Sequence, residues 1–135
     1  MELIEKYKNV KMNIDINTNS NLFYRQLLEL LSNFNPVKKL RTGEIKVLAE
    51  IMKQHYNYKD VVKSDNLRRN LVFSQDNKKV MCENLGISRD TFNTNLSILR
   101  KKGVLNKDNS SIKALNIFPN EEFKFEVTFK LRKNE

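Results

Sequence analysis

The sequence predicts an α+β domain, mainly helical, with a C-terminal β-hairpin and an N-terminal strand. Three observations predict it. Residues 77–105 set apolar side chains on two short helical stripes either side of Gly86, the spacing of a helix, a tight turn and a second helix. Upstream, 21–33 and 43–56 repeat apolar residues at helical intervals. Residues 123–131 alternate strictly instead, with Phe123, Phe125, Val127, Phe129 and Leu131 set against Lys124, Glu126, Thr128 and Lys130. That is the period of a strand with one covered face. A chain of 135 residues buries one modest core. It reads as an N-terminal strand or arm, 1–18, and one domain, 19–135, holding a helix-turn-helix at 75–102 and a wing-like sheet at 111–132.

Taken in order, Met12, Ile14 and Ile16 alternate with Asn13, Asp15 and Asn17, a strand pattern. Thr18-Asn19-Ser20-Asn21 supplies N-caps for a helix over 21–33, whose stripe is Phe23, Leu27, Leu30, Leu31 and Phe34, and Pro36 stops it. Thr42 caps a helix over 43–56 with Ile45, Leu48, Ala49 and Met52 inward. Residues 57–73 fit neither period well, and a short helix over 64–70 followed by an extended piece is the best reading. Ser74 caps the first motif helix, with Val80, Met81 and Leu85 inward. Gly86 falls where the backbone needs positive φ, Ile87 plugs the corner, and Ser88 caps the second helix. Phe92, Leu96 and Leu99 form that helix's inner face, and Gly103 ends it. Beyond it, 112–118 reads as a strand, 119–121 as a turn and 123–131 as a second strand. Five large apolar groups on one strand face need a cover, in the sheet or at a dimer surface.

The outer face of the second motif helix carries Arg89, Asp90, Asn93, Thr94, Ser97, Arg100 and Lys101. In the DNA-binding form of such a motif this helix lies in the major groove and its N-terminal half meets base edges. Arg and Asn are the side chains that bond guanine or adenine edges bidentately. Asn and Thr are poor helix formers, so Asn93 and Thr94 at exposed positions cost helix stability and point to another use. Ser88, Arg89, Asp90, Asn93, Thr94, Ser97, Arg100 and Lys101 are therefore the candidate DNA-contacting residues on this helix. Lys78, Lys79, Lys107 and Lys113 are the candidate phosphate contacts around it, and Lys102 is a further cation at the helix end. Lys78 and Lys79 lie in a first helical turn, where the dipole disfavours cations, which favours a phosphate partner.

Leu85-Gly86-Ile87-Ser88, followed by Thr91-Phe92 and Leu96, resembles the core of LuxR/GerE-type regulators and of sigma-factor promoter-reading domains. Cys82 stands where those families place a small alanine. Arg41-Thr42-Gly43-Glu44-Ile45-Lys46-Val47-Leu48 resembles the helix that supports the motif in the same families. The resemblance spans residues 40–105. The stretch 53–74 is longer than in the compact LuxR type, and β-like sequence follows Leu105, which suits a winged helix-turn-helix. The resemblance implies double-stranded DNA as partner and transcription regulation, in a bacterium or a phage, as a homo-oligomer.

Charge supports the same expectation. Residues 1–37 and 114–135 each hold four Lys/Arg against four Asp/Glu, whereas 38–113 holds seventeen against eight. The whole net charge of +9 therefore lies on the segment with the motif. Phosphate-tracking surfaces need such an excess. A single cysteine, Cys82, and a single histidine, His55, exclude an intrachain disulfide and leave too few ligands for zinc, which takes about four. His55 reads as a surface residue at a helix end and Cys82 as core. The glycines are too far apart to cradle a phosphate and no acidic pair stands out, so neither catalysis nor a cofactor is expected. No apolar run approaches the ~18 residues of a membrane span and no signal peptide opens the chain, so the expected compartment is cytoplasm. The rival readings are a phage virion or packaging component, akin to terminase small subunits, and an RNA polymerase cofactor. The first would use the motif as a scaffold for protein or non-specific DNA contacts, and the second would contact protein more than DNA.

Overall fold

The computed structural model describes residues 16–34, 37, 39–111, 115–119, 121–123, 129 and 131. Five helices occur among them: α1 (Phe23–Leu31), α2 (Thr42–Tyr58), α3 (Asp65–Val72), α4 (Gln75–Leu85) and α5 (Arg89–Lys101). The central element is α2, which packs against each of the other four. Its Val47, Leu48 and Ile51 are almost wholly buried. Leu27, Leu28 and Leu31 of α1 join them in one core with Phe92, Leu96 and Leu99 of α5.

Local sequence explains where each helix begins. The Asn19 carboxamide accepts the backbone N–H groups of Asn21 and Leu22, both at 3.0 Å, and so starts the turn that becomes α1. Ser64, Ser74 and Ser88 sit in extended conformation and accept from Leu67, Asn77 and Thr91 respectively, as N-caps do. α2 departs from expectation by one residue. Arg41 is its N-cap, and the Glu44 carboxylate accepts the Arg41 N–H at 3.3 Å. α3 runs to Val72, two residues past its expected end.

Two glycines end the motif helices. Gly86 has φ 66°, its N–H donates to Glu83 O at 3.2 Å, and the Ile87 N–H donates to Cys82 O at 3.1 Å. This Schellman pair satisfies carbonyls that the end of α4 leaves open. The same pattern recurs at Gly103 (φ 79°), with bonds to Arg100 O and from Val104 to Leu99 O.

Buried polar groups fix how α3 and α4 lie on α2. Glu50, buried, accepts from Asn84 at 2.8 Å and from Gln54 at 3.1 Å, and pairs with Lys53 at 2.8 Å. Asn77 donates to Val72 O at 2.8 Å and accepts from the Tyr58 hydroxyl at 3.4 Å. The first network clamps the end of α4 and the second its start.

The expected α+β class, a winged fold with a C-terminal hairpin, is not what the structure holds. Among the described residues there is no strand, only an isolated antiparallel bridge between Leu105 and Ser111. In place of the strand expected at 112–118, the Ile117 N–H folds back onto Leu115 O at 2.9 Å. The Ile117 carbonyl accepts from the buried Tyr24 hydroxyl at 2.9 Å, and Phe118 packs on Tyr56. The backbone there is satisfied by a side chain of α1 rather than by a neighbouring strand. Phe129 and Leu131, expected to face a core, are each 95 % exposed. Alternation supplied one face of a sheet, but a strand also needs a partner. Residues 112–114, 120, 124–128, 130 and 132 of that expected sheet lie outside the described residues, as does 1–15 of the N-terminal strand or arm. Ile16 is described, is exposed, and belongs to no strand.

Candidate nucleic-acid interface

Helix α5 is set by its inner face. Phe92, Leu96 and Leu99 are 0–3 % exposed and fix its rotation against α2. Asp90, Thr94, Ser97 and Lys101, spaced at i, i+4, i+7 and i+11, then form the line opposite the core. Asp90, Thr94 and Lys101 are exposed and Ser97 is half-buried. Asn93 is exposed on the flank of this line. None of these five side chains has a hydrogen-bond or ionic partner among the described residues.

Other expected contact residues are already engaged. The Ser88 hydroxyl accepts the Thr91 N–H at 3.1 Å and lies 3.0 Å from the Thr91 hydroxyl, so it is spent as a cap. Arg89, half-buried, donates to the Gln75 side-chain oxygen and to Gln75 O at 3.3 Å. It staples the start of α5 to the start of α4. Arg100 donates to the Asn109 side chain at 2.6 Å, holding a turn in which Asn109 itself takes φ 66°. Lys102 pairs with Glu44 and donates to Lys39 O at 2.8 Å. Lys79 on α4 and Lys107 on the turn after α5 are exposed, whereas Lys78 is half-buried. Lys113 lies outside the described residues.

Sequence reasoning missed the partners Gln75 and Asn109. Nothing local marks them, because a long guanidinium reaches whatever tertiary packing brings near. It also misplaced His55, which is half-buried beneath α3 with its ring edge-on to Phe73 at 6.4 Å between centroids. Burial, then Arg68 and Arg69, push its imidazole down to about 4, against a smaller opposing pull from Asp65. The unfolded chain, with an imidazole near 6.5, therefore takes up a proton that the folded chain refuses. This contribution to stability is complete above pH 6.5 and is lost as pH falls towards 4. Discounted for the exposed part of the ring, it amounts to about 1–2 kcal/mol. Urea unfolding at pH 7 and pH 4.5 should show wild type losing that much more than His55→Gln. Parallel losses would remove His55 as the source.

No family model, curated protein or solved structure matches this chain. The likeness to regulator motifs therefore rests on the quoted residues. Among the described residues no helix is long and apolar enough to cross a membrane.

Proposed function

We propose that this chain is a sequence-specific double-stranded DNA-binding protein, a transcription regulator of bacterial or phage type, with α5 as the helix that enters the major groove. One observation carries the reading. The outer line of α5 and its flank offer polar groups uncommitted among the described residues (Asp90, Thr94, half-buried Ser97 and Lys101, with Asn93 beside them) on a helix locked in place by its buried opposite face. A helix that reads bases needs this combination, a free polar edge on a rigid support. The cations Lys79, Lys101 and Lys107 stand on or beside it for phosphate, and the +9 excess lies in the same segment.

The reading ranks the contacts. Asn93 reads a base directly, whereas Arg89 does so only by leaving Gln75. Selection from random duplexes, repeated across a salt series, tests this. Asn93→Ala should cost about 1–3 kcal/mol on the selected site and relax preference at one position, with the salt slope unchanged. Lys79→Ala should lower the slope by about one and leave the preference intact. Binding that selects no sequence, or that ignores Asn93→Ala, would sink the reading.

A second reading, an assembly component that uses the motif as scaffold, draws on Val61, Leu67 and Leu71, apolar side chains 37–80 % exposed on and before α3. Nuclease-resistant oligomers of defined size would favour it.

A further inference from the structure

A cleft of about 240 Å³ opens between α2, α3 and residues 110–111 and 115–118, with Tyr24 of α1 also on its lining. Met52 and Leu115 give it apolar walls, and His55, Asp65, Arg69, Ser111 and Asn116 line it with polar groups, the Asp65 carboxylate lying with Arg68. Each side-chain nitrogen of neighbouring Arg68 has a partner. The guanidinium donates to Val62 O at 2.9 Å, Lys63 O at 3.2 Å and Asp65 at 3.2 Å.

Arg69 is different. One terminal nitrogen bonds the Asn66 side chain at 3.0 Å and lies 3.7 Å from Asp108. Its Nε and other terminal nitrogen have no partner among the described residues. Nor do the Ser111 hydroxyl, the Asn116 amide or the His55 imidazole. Asp108 faces Arg69 through Oδ2 without reaching hydrogen-bond length, while its Oδ1 accepts the Ser110 hydroxyl at 2.6 Å and the Ser110 N–H at 3.0 Å. Those bonds hold its carboxyl below the usual range. The cleft thus gathers several unspent donors beside a guanidinium that touches its carboxylate partner only at 3.7 Å and keeps two nitrogens uncommitted among the described residues.

We propose that this cleft binds a small organic anion, its carboxylate on Arg69 and Ser111 and its apolar body between Met52 and Leu115. Charge-assisted bonds from a guanidinium fork are the strong ones, and the apolar walls exclude an ion with no body. The volume lies below the ~300–1,000 Å³ of drug-sized sites, which restricts the ligand to a single ring or short chain. Burial first, and then Arg68 and Arg69, hold the His55 imidazole down, so an anion seated on Arg69 would raise it. The proposal stands whether or not the chain binds DNA.

Benzoate is a suitable probe, with benzyl alcohol as its uncharged counterpart and inorganic phosphate as an anion without an apolar body. His55 is the only histidine, so its ring signal in NMR is unambiguous. Benzoate should move that signal saturably and raise the His55 pKa, and benzyl alcohol and phosphate should each bind at least tenfold more weakly. Arg69→Gln should weaken benzoate at least tenfold. Asp108→Asn breaks the same ion pair but keeps the guanidinium, and should bind benzoate at least as well as wild type. No saturable shift with millimolar benzoate would overturn the proposal, as would equal binding of benzyl alcohol or phosphate. So would equal losses in Arg69→Gln and Asp108→Asn, which would trace the effect to the turn rather than to the charge.

Discussion

Phe92→Ala should lower stability by about 3–5 kcal/mol, the largest effect expected of any single substitution in this chain. Phe92 is fully buried on the inner face of α5 and is the largest of the wholly enclosed side chains. Its removal loses the transfer free energy of the ring and leaves a cavity that the surrounding helices close only in part. Against a total of about 5–15 kcal/mol for a domain, the variant would stand near its unfolding threshold. Phe92→Leu keeps most of the volume and should cost much less. Urea midpoints of the three proteins provide the check. A loss under about 1 kcal/mol for the alanine variant would mean that α5 is not held by this ring. The consequence reaches function, because the polar line of α5 has a fixed direction only while its opposite face is packed.

Lys102→Met comes second. The Lys102 ammonium pairs with Glu44, whose side chain is 4 % exposed, and donates to Lys39 O at 2.8 Å. Removing the cation leaves a buried carboxylate with, among the described residues, only the Arg41 N–H at 3.3 Å as partner. Breaking a fully buried pair costs about 3–5 kcal/mol, and the 29 % exposure of the Lys102 side chain admits water, so about 2 kcal/mol is expected. Glu44→Gln combined with Lys102→Met should recover most of it, and a double-mutant cycle on thermal unfolding measures the coupling. The same lysine separates structure from binding. Lys102→Met should leave the salt dependence of DNA binding nearly unchanged, whereas Lys101→Ala, stable, should lower its slope by about 0.9. The reverse pattern would make Lys102 a phosphate contact and Lys101 a bystander.

The difference between those two neighbours marks where sequence reasoning stops. Apolar spacing, the serine caps and Gly86 and Gly103 are local signals, and the helices they delimit fall within a few residues of expectation. α2 lies across that limit, because its stripe was legible but its place against all four other helices was not. The described part of the expected hairpin, around Ile117, departs from expectation for the same reason. A period of two describes one strand, while a sheet depends on a partner elsewhere in the chain, and here the Tyr24 hydroxyl took the carbonyl that a strand would have paired. Within the candidate site, exposure of Asp90, Asn93, Thr94 and Lys101 followed from helical geometry. The engagement of Arg89 with Gln75, Arg100 with Asn109 and Lys102 with Glu44 did not, since long side chains choose partners by tertiary proximity.

Cys82, the one thiol, sits 7 % exposed in α4 with its sulfur 4.0 Å from the carbonyl of Ser88, against the elbow that joins the two motif helices. A disulfide reagent reaches that sulfur only when the elbow opens. The ratio of its modification rate in the native and urea-unfolded chains therefore reads the opening free energy of this one joint, provided reclosure outpaces labelling. A duplex gripped along α5 should slow the reaction, while one that merely coats surface lysines should leave the rate as it was. The chain thus carries its own clock for the motif, and no engineered label is needed to consult it.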